Sequence, residues 1–512
     1  MFLLTDQTNF GVDAVSGIFE DGYLDFVLKG LTILAAFVVW CAVLEQVRYY
    51  KHGSSQFPGP VTVVPFVNSL LEMVNDPEEF WKRQHAYDEE GISWNALLGR
   101  LSLVATDGDL VRKILSSNGP DSFFMEIHPN AKQIFSSGNI ALLWGDVHKA
   151  LRRSFLNLFS RKAMNTYLPI QEGTSRETIK EWMETVQGDE IDIRHLIRPL
   201  TLTVSQRLLV GNYLEDPKRF GDDYQYINDG MLCLPINFPG TTLYKACQAR
   251  VRLEDELEKI SAKSKSLVAA GKEPDCLLDY WAEKIIQECK EAEKLGVEGP
   301  EYAAPRRMAE TMIDFLFASQ DASTASYTWA VKLLADYPDV LAKVRDEQER
   351  VRPGNSEFTA ERMESLIYTR AVVMEILRYK PPAMTIPQAA QKTVNVTEKV
   401  RIPKGTLIFP SLWAARNHGW TNPDCFDPER MMPHRDEMLK NRANFLTFGA
   451  GPHYCPGKEL AISNLIVFIS LFSVLADWTR RDTIDSDRIC YLPTTYPYDC
   501  LVTMEKRAPV SS

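Results

Sequence analysis

Phe448-Gly-Ala-Gly-Pro-His-Tyr-Cys-Pro-Gly457 decides how this chain is read. Its glycines and prolines make it a tight, turn-rich loop. The loop runs into an apolar stretch, Leu460 to Leu475, that reads as a helix. Cys455 therefore sits at a helix N-terminus, where backbone N–H groups and the macrodipole favour negative charge. Pro456 has no N–H, so donors to a thiolate should come from Gly457 and Lys458. Gly451 and Gly457 let the backbone turn sharply and approach a neighbour closely. A buried structural cysteine ahead of a core helix would show the same features. From the residue counts, this spacing of Phe, Gly, Cys and Gly arises by chance in about one chain of this size in a thousand.

Written as Phe-x-x-Gly-x-basic-x-Cys-x-Gly, the stretch resembles the proximal haem loop of the cytochrome P-450 family. Three further motifs of that family occur upstream in the family's order. The resemblance covers roughly residues 58–505 and implies a mainly α fold with small β-sheets. It implies haem b, with Cys455 as the axial ligand of the iron and Phe448 covering the sulfur. It brings the backbone at Gly451 and Gly457 against the porphyrin, and His453, where the family usually has arginine, against a propionate.

Composition narrows the partners. The chain has 512 residues, a net charge of −11 and a pI near 5.4, which argues against nucleic acid. Nine widely spaced cysteines form no disulfide or zinc pattern, which suits a reducing compartment. Leu24 to Leu44 is almost wholly apolar, interrupted by Asp25 and Lys29. Its uncharged core from Gly30 is short for a membrane span, but Lys29 can snorkel. Acids before it and Arg48, Lys51 and His52 after it orient the main body towards the cytosol. A cleaved signal peptide fits less well, because the apolar run starts late and lacks a small-residue cleavage site. The expected organisation is a luminal tail at 1–22, a transmembrane anchor at 23–46, a proline-rich linker at 47–65 and a haem-thiolate catalytic domain at 66–512.

Short strands are expected near Ser93–Leu98, Leu101–Ala105 and Val394–Pro410. Phe123 to Asn130 reads as an aromatic loop, either plain surface or, by resemblance, the roof of a substrate cavity with Phe123 and Phe124 lining it. His148 and Arg152 in Gly145–Arg153 share a helix face at i, i+4. Alone that is a solvated face; by resemblance it grips the haem propionates. Pro235, Pro239 and Gly240 break the helical pattern at 232–250, a simple connection or, by resemblance, a membrane-proximal lid. Residues 251–303 read as charged, helical scaffold.

Met308 to Ala335 forms one long helical pattern with a small, polar middle, Phe315-Leu-Phe-Ala-Ser-Gln-Asp-Ala-Ser-Thr-Ala-Ser326. Such a stretch is commonly a packing notch. By resemblance it is the distal oxygen-binding groove, with Phe317, Ala318 and Ala322 facing substrate. Most of the family has a threonine where Ala322 stands, and alanine cannot pass a proton. Ser323 and Thr324 lie about 100° and 200° further round the helix, so neither replaces it. Asp321 remains as an acid that could relay protons through Ser323 or water. This string resembles the sterol C-22 desaturase branch, in which the altered threonine position recurs.

Glu375 and Arg378 pair at i, i+3 ahead of a helix stop at Pro381-Pro382, and Phe426–Met431 supplies Arg430. The resemblance makes these three a buried structural network under the haem. Thr385 and Ile386, in Ala383–Pro387, would line the cavity, and Tyr491–Tyr498 would close its far end. The implied reaction places a C-22(23) double bond in a sterol side chain, using dioxygen and NADPH electrons from a cytochrome P-450 reductase at the endoplasmic reticulum membrane. The alternatives are a sterol or lipid hydroxylase or demethylase of the same family, and a non-catalytic haem-dependent sterol binder.

Overall fold

The computed structural model describes residues 12–52, 57–60, 68–87, 90–97, 100–135, 138–491 and 494–508. The frame is a set of long helices around the distal helix, Pro305–Asp336. Pro305 fits its first turn, where an N–H would have no partner. The helix ends as Tyr337 leaves the helical region ahead of Pro338, whose ring disfavours helical backbone in the residue before it. Beneath it runs Lys458–Leu475, whose residues from Leu465 to Ser473 are buried on every side. That explains an apolar pattern without a polar face.

Among the described residues, length and composition would let two helices cross a membrane, and burial separates them. Lys458–Leu475 is a core helix, whereas Asp25–Leu44 has mean hydropathy 2.3 and no buried surface. The latter belongs to one helix, Val12–His52, longer than the expected anchor at both ends. Nothing between Val12 and His52 stops it, since the first proline beyond it is Pro58. Lys29 pairs with Asp25 at 2.6 Å on one helix face, so the two charges interrupting the run neutralise each other. The expected linker from 53 falls largely outside the described residues.

A five-stranded sheet flanks the helices in the order Ile92–Leu97, Arg100–Ala105, Leu407–Pro410, Gln388–Ala390 and Phe123–Met125. The last strand corrects the expected loop: Phe123 pairs with Ala390 and Met125 with Gln388. Three residues are too few to show a period of two, so only pairing reveals the strand. The same stretch ends in a short helix, Pro129–Ile134, capped by the His128 ring. Smaller sheets join Leu501–Lys506 to Glu190–Asp192 and Ala476–Arg480, and Ile489–Tyr491 to Thr495–Pro497. One apolar core fills the helical bundle and a second backs the sheet.

Candidate active site

The Cys455 loop is folded by its own backbone. Cys455 N–H donates to the Phe448 carbonyl at 2.9 Å, and Gly449 N–H to Leu446 at 2.8 Å. Gly449 and Gly451 take positive φ, +74° and +71°. A Cβ on Gly451 would lie 2.5 Å from Ser116 Cα. Gly451 is thus required by the close pass of the Gly108–Ser116 helix, where the sequence suggested an approach to the porphyrin. Gly457 is the N-cap of Lys458–Leu475, and a side chain there would meet no protein atom within 4 Å.

Burial pushes the Cys455 thiol up, against the Gly457 N–H and the positive charges of Arg152 and Lys458. Lys458 therefore acts through its side-chain charge, not as the expected backbone donor. Desolvation outweighs the helix terminus, so the polypeptide alone favours the neutral thiol. A metal ion on the sulfur reverses that preference.

One turn of helix supplies the neighbouring cradle. In Gly145–Ser154, His148 and Arg152 share a face, as expected from their spacing. The His148 ring stacks on His453, centroids 4.2 Å apart. Arg152 Nη2 donates to the Tyr454 carbonyl at 2.6 Å. Among the described residues Arg152 meets no carboxylate, and buried His148 Nε2 has no hydrogen-bond partner. Burial lowers the pKa of all three groups, that of His453 to about 4, and their mutual proximity adds to the effect for His148 and His453. Three cationic or cation-capable groups without an anion fit a ligand carrying carboxylates. The residues present therefore suit a haem.

Below the loop lies a dry network. Arg378 grips Glu375 through Nε at 2.7 Å and Nη2 at 2.8 Å. Arg430 Nε reaches the same carboxylate at 2.9 Å, and Asp427 N–H at 3.0 Å. All three side chains are fully buried. The remaining guanidinium donors meet the carbonyls of Arg416, Thr421, Asn422, Pro423 and Cys425 and the Glu437 carboxylate. Thr447 then ties the loop to the Ile367–Tyr379 helix, which carries Glu375 and Arg378, through the Leu377 carbonyl, at 2.8 Å.

The distal helix divides its polar residues by direction. Buried Asp321 has Arg198 Nη2 3.4 Å and the Tyr496 hydroxyl 3.3 Å from Oδ1. Burial raises its pKa, opposed by Arg198 and Tyr496. Thr324 is committed to Thr201 at 2.8 Å, and Ser319 to Ser205 at 3.0 Å. Ser323 makes no hydrogen bond among the described residues, so the suggested contact with Asp321 is not formed directly. Ala318 is exposed and Ala322 half-exposed within an otherwise buried stretch. At i, i+4 they share one open, apolar face.

Phe317 stands beside that face against Phe135, centroids 4.9 Å apart. Ile386 Cδ1 lies 3.7 Å from a Cβ built on Gly449, which brings it beside the Cys455 loop. Thr385 is buried, its hydroxyl bound to the Pro410 carbonyl. Phe123 is buried in the sheet core, and Phe124 packs edge-on to Trp144. Sequence reasoning missed Arg198, one of three arginines in the Arg194–Val210 helix, and Asp314. Asp314 accepts from Asn139 Nδ2 at 2.6 Å and from Ile140 N–H at 3.1 Å, tying the segment before the cradle to the distal helix.

Comparison with known proteins agrees with this geometry. The family model described as Cytochrome P450 matches residues 58–476. Cytochrome P450 710A4 of Arabidopsis thaliana is 37% identical over 478 residues, covering 92% of this chain and 95% of its own. The C-22 sterol desaturase erg5 of Aspergillus fumigatus is 32% identical over 520 residues, covering 96% of each. The solved structure of a retinoic acid-bound cyanobacterial CYP120A1 superposes with a TM-score of 0.74 at 21% identity, over 88% of this chain and 99% of that one, and shares the fold. A thiol loop, an anion-seeking cradle and an apolar distal groove in one frame thus meet a family match over most of the length, and the chain belongs to the cytochrome P450 family.

Proposed function

We propose that this protein is a sterol C-22 desaturase, placing the C-22(23) double bond in a sterol side chain. The observation that carries the reading is the distal-helix string Phe317-Ala-Ser-Gln-Asp-Ala-Ser-Thr324, with alanine at 322. Chain-long similarity to relatives named C-22 sterol desaturase, from Aspergillus fumigatus and Gibberella zeae, supports it.

Each site residue then has a task. Cys455 would hold the haem iron through its sulfur, which accepts the Gly457 N–H. Arg152, His148 and His453 would hold the propionates, and Phe448, tied to Cys455 through its carbonyl, would shield the sulfur. When bound, the haem supplies dioxygen activation with electrons from an NADPH-dependent reductase. Ala318 and Ala322 leave the open face along which an apolar side chain lies, walled by Phe317 and Ile386. Holding two adjacent carbons at the reacting centre favours removal of a second hydrogen over hydroxylation. Asp321 keeps its proton readily and exchanges it through water, since Ser323 has no direct bond to it. Glu375, Arg378 and Arg430 maintain the frame.

The exposed Asp25–Leu44 segment would anchor the protein in the endoplasmic reticulum membrane, with 1–22 luminal, 47–65 as linker and the body at 66–512 cytosolic. Exposed Leu234 and Phe238, between two helices, suit the same surface. The test is reconstitution with reductase and sterol, followed by mass spectrometry of the side chain. An unsaturated product two mass units lighter sustains the reading; a hydroxylated product alone overturns it in favour of a hydroxylase.

A further inference from the structure

A second cleft, of about 740 Å³, opens between the Pro77–Ala86 helix, the C-terminal end of the distal helix and the Leu412–Ala415 turn. Its floor is cationic. Lys332 and Arg416 are buried, and the Lys380 side chain is only 10% exposed. They face two partly buried carboxylates, Glu78 and Asp336, bonded to Lys380 at 2.9 Å and Lys332 at 2.7 Å.

Aromatic faces take the place of water around these cations. The Arg416 guanidinium lies 4.4 Å from the Trp413 ring centroid, and Lys380 Nζ 4.9 Å from that of Trp329. Two buried donors on this wall, Arg416 Nε and Trp413 Nε1, have no hydrogen-bond partner. Such donors are costly unless an acceptor reaches them. Burial lowers the pKa of both Lys380 and Arg416, against the pull of Glu78, and neighbouring positive charge adds to this.

The mouth has the opposite sign. Asp487 and Asp424 are 100% and 73% exposed. They reach the floor only through long contacts, 3.6 Å to Lys332 and 3.7 Å to Arg416. Each joins a buried cation to a solvated carboxylate at long range, so the contact is readily exchanged. Tyr337 offers a half-exposed ring beside them.

We propose that this cleft binds a small zwitterion, its phosphate on Arg416, Lys380 and Trp413 and its alkylammonium between Asp424, Asp487 and the Tyr337 ring. An entering anion displaces Asp424 from Arg416, and Asp487, fully exposed and held to Lys332 only at 3.6 Å, turns with it to the cation. Phosphocholine is the simplest ligand of this class, whether as a lipid headgroup or as a free solute. The site is separate from the Cys455 centre and does not rest on the desaturase reading.

The test is calorimetric titration of the full-length holoprotein, in maltoside detergent, with phosphocholine, inorganic phosphate and choline chloride separately. Phosphocholine is expected to bind one per chain, about fivefold or more tighter than either half. Asp424→Asn with Asp487→Asn changes only exposed groups and should bring phosphocholine down to the level of phosphate. Arg416→Gln should abolish binding of both at an unchanged near-ultraviolet dichroism spectrum. Displacement by phosphatidylcholine nanodiscs assigns the zwitterion to a headgroup, and failure of displacement to a free solute; both sustain the site. Absence of binding, equal affinity for phosphate and phosphocholine, or an undiminished preference in the double variant overturns it.

Discussion

Below the Cys455 loop, Glu375 is held by Arg378 and Arg430, all three shut away from water. On the distal helix, Asp321 has an arginine whose side chain is 32% exposed and a tyrosine hydroxyl, at 3.4 and 3.3 Å. Both are buried carboxylates answered by arginine, and their surroundings set different roles. Glu375 spends its lone pairs on short bonds from two fixed forks and a backbone N–H, and so locks a frame. Asp321 keeps looser bonds beside a partly wet partner, and burial leaves it inclined to hold a proton. One carboxylate serves rigidity, and the other is suited to exchange.

The contrast can be broken at its centre first. Cys455→Ser should remove the red-shifted Soret band of the reduced carbon monoxide complex and all turnover; retention of that band would disprove the assigned ligand. Next in size is Arg378→Lys. An ammonium cannot reproduce the forked bond, and a buried carboxylate left half-paired costs about 3 kcal/mol. A lower melting temperature and less haem-loaded protein are expected, and equal stability would show that the network is slack.

Asp321→Asn probes the other carboxylate. Turnover should fall by about a hundredfold, while the sterol-induced spectral shift keeps its midpoint. Equal loss of both would make Asp321 structural, like Glu375. The smallest effect concerns Asp314, whose carboxyl burial pushes up to about 7 from its ordinary 3.8. The folded protein holds this proton more tightly than the unfolded chain, so the group's stabilisation is full below pH 3.8 and is lost as pH rises towards 7. Melting temperatures of Asp314→Asn and its parent, compared across that window, should shift in favour of the variant as pH rises. A constant gap would mean that Asp314 does not titrate there.

Much of the proximal side was legible in the chain because its parts are local. Glu375 and Arg378 stand one turn apart, His148 and Arg152 likewise, and the loop from Phe448 to Gly457 is closed by its own backbone bonds. The distal side was legible only in outline. The partners of Asp321 come from residues 198 and 496, far away in sequence, and an arginine or tyrosine that pairs only across the fold carries no local mark. Gly451 taught a similar lesson: its positive φ follows from a turn, but what it must clear is the passing helix at Ser116.

The order and spacing of residues determined the helical frame, the thiol loop and the arginine–glutamate pair, because hydrophobic period, turn chemistry and neighbouring helix positions act within a few residues. Tertiary structure alone decided that Phe123–Met125 is a strand, and that Gln320, Asp321 and Thr324 of the distal helix turn into neighbouring elements and leave Ala318 and Ala322 facing open space. Those outcomes depend on burial and on partners supplied from distant parts of the chain, and no local pattern encodes either.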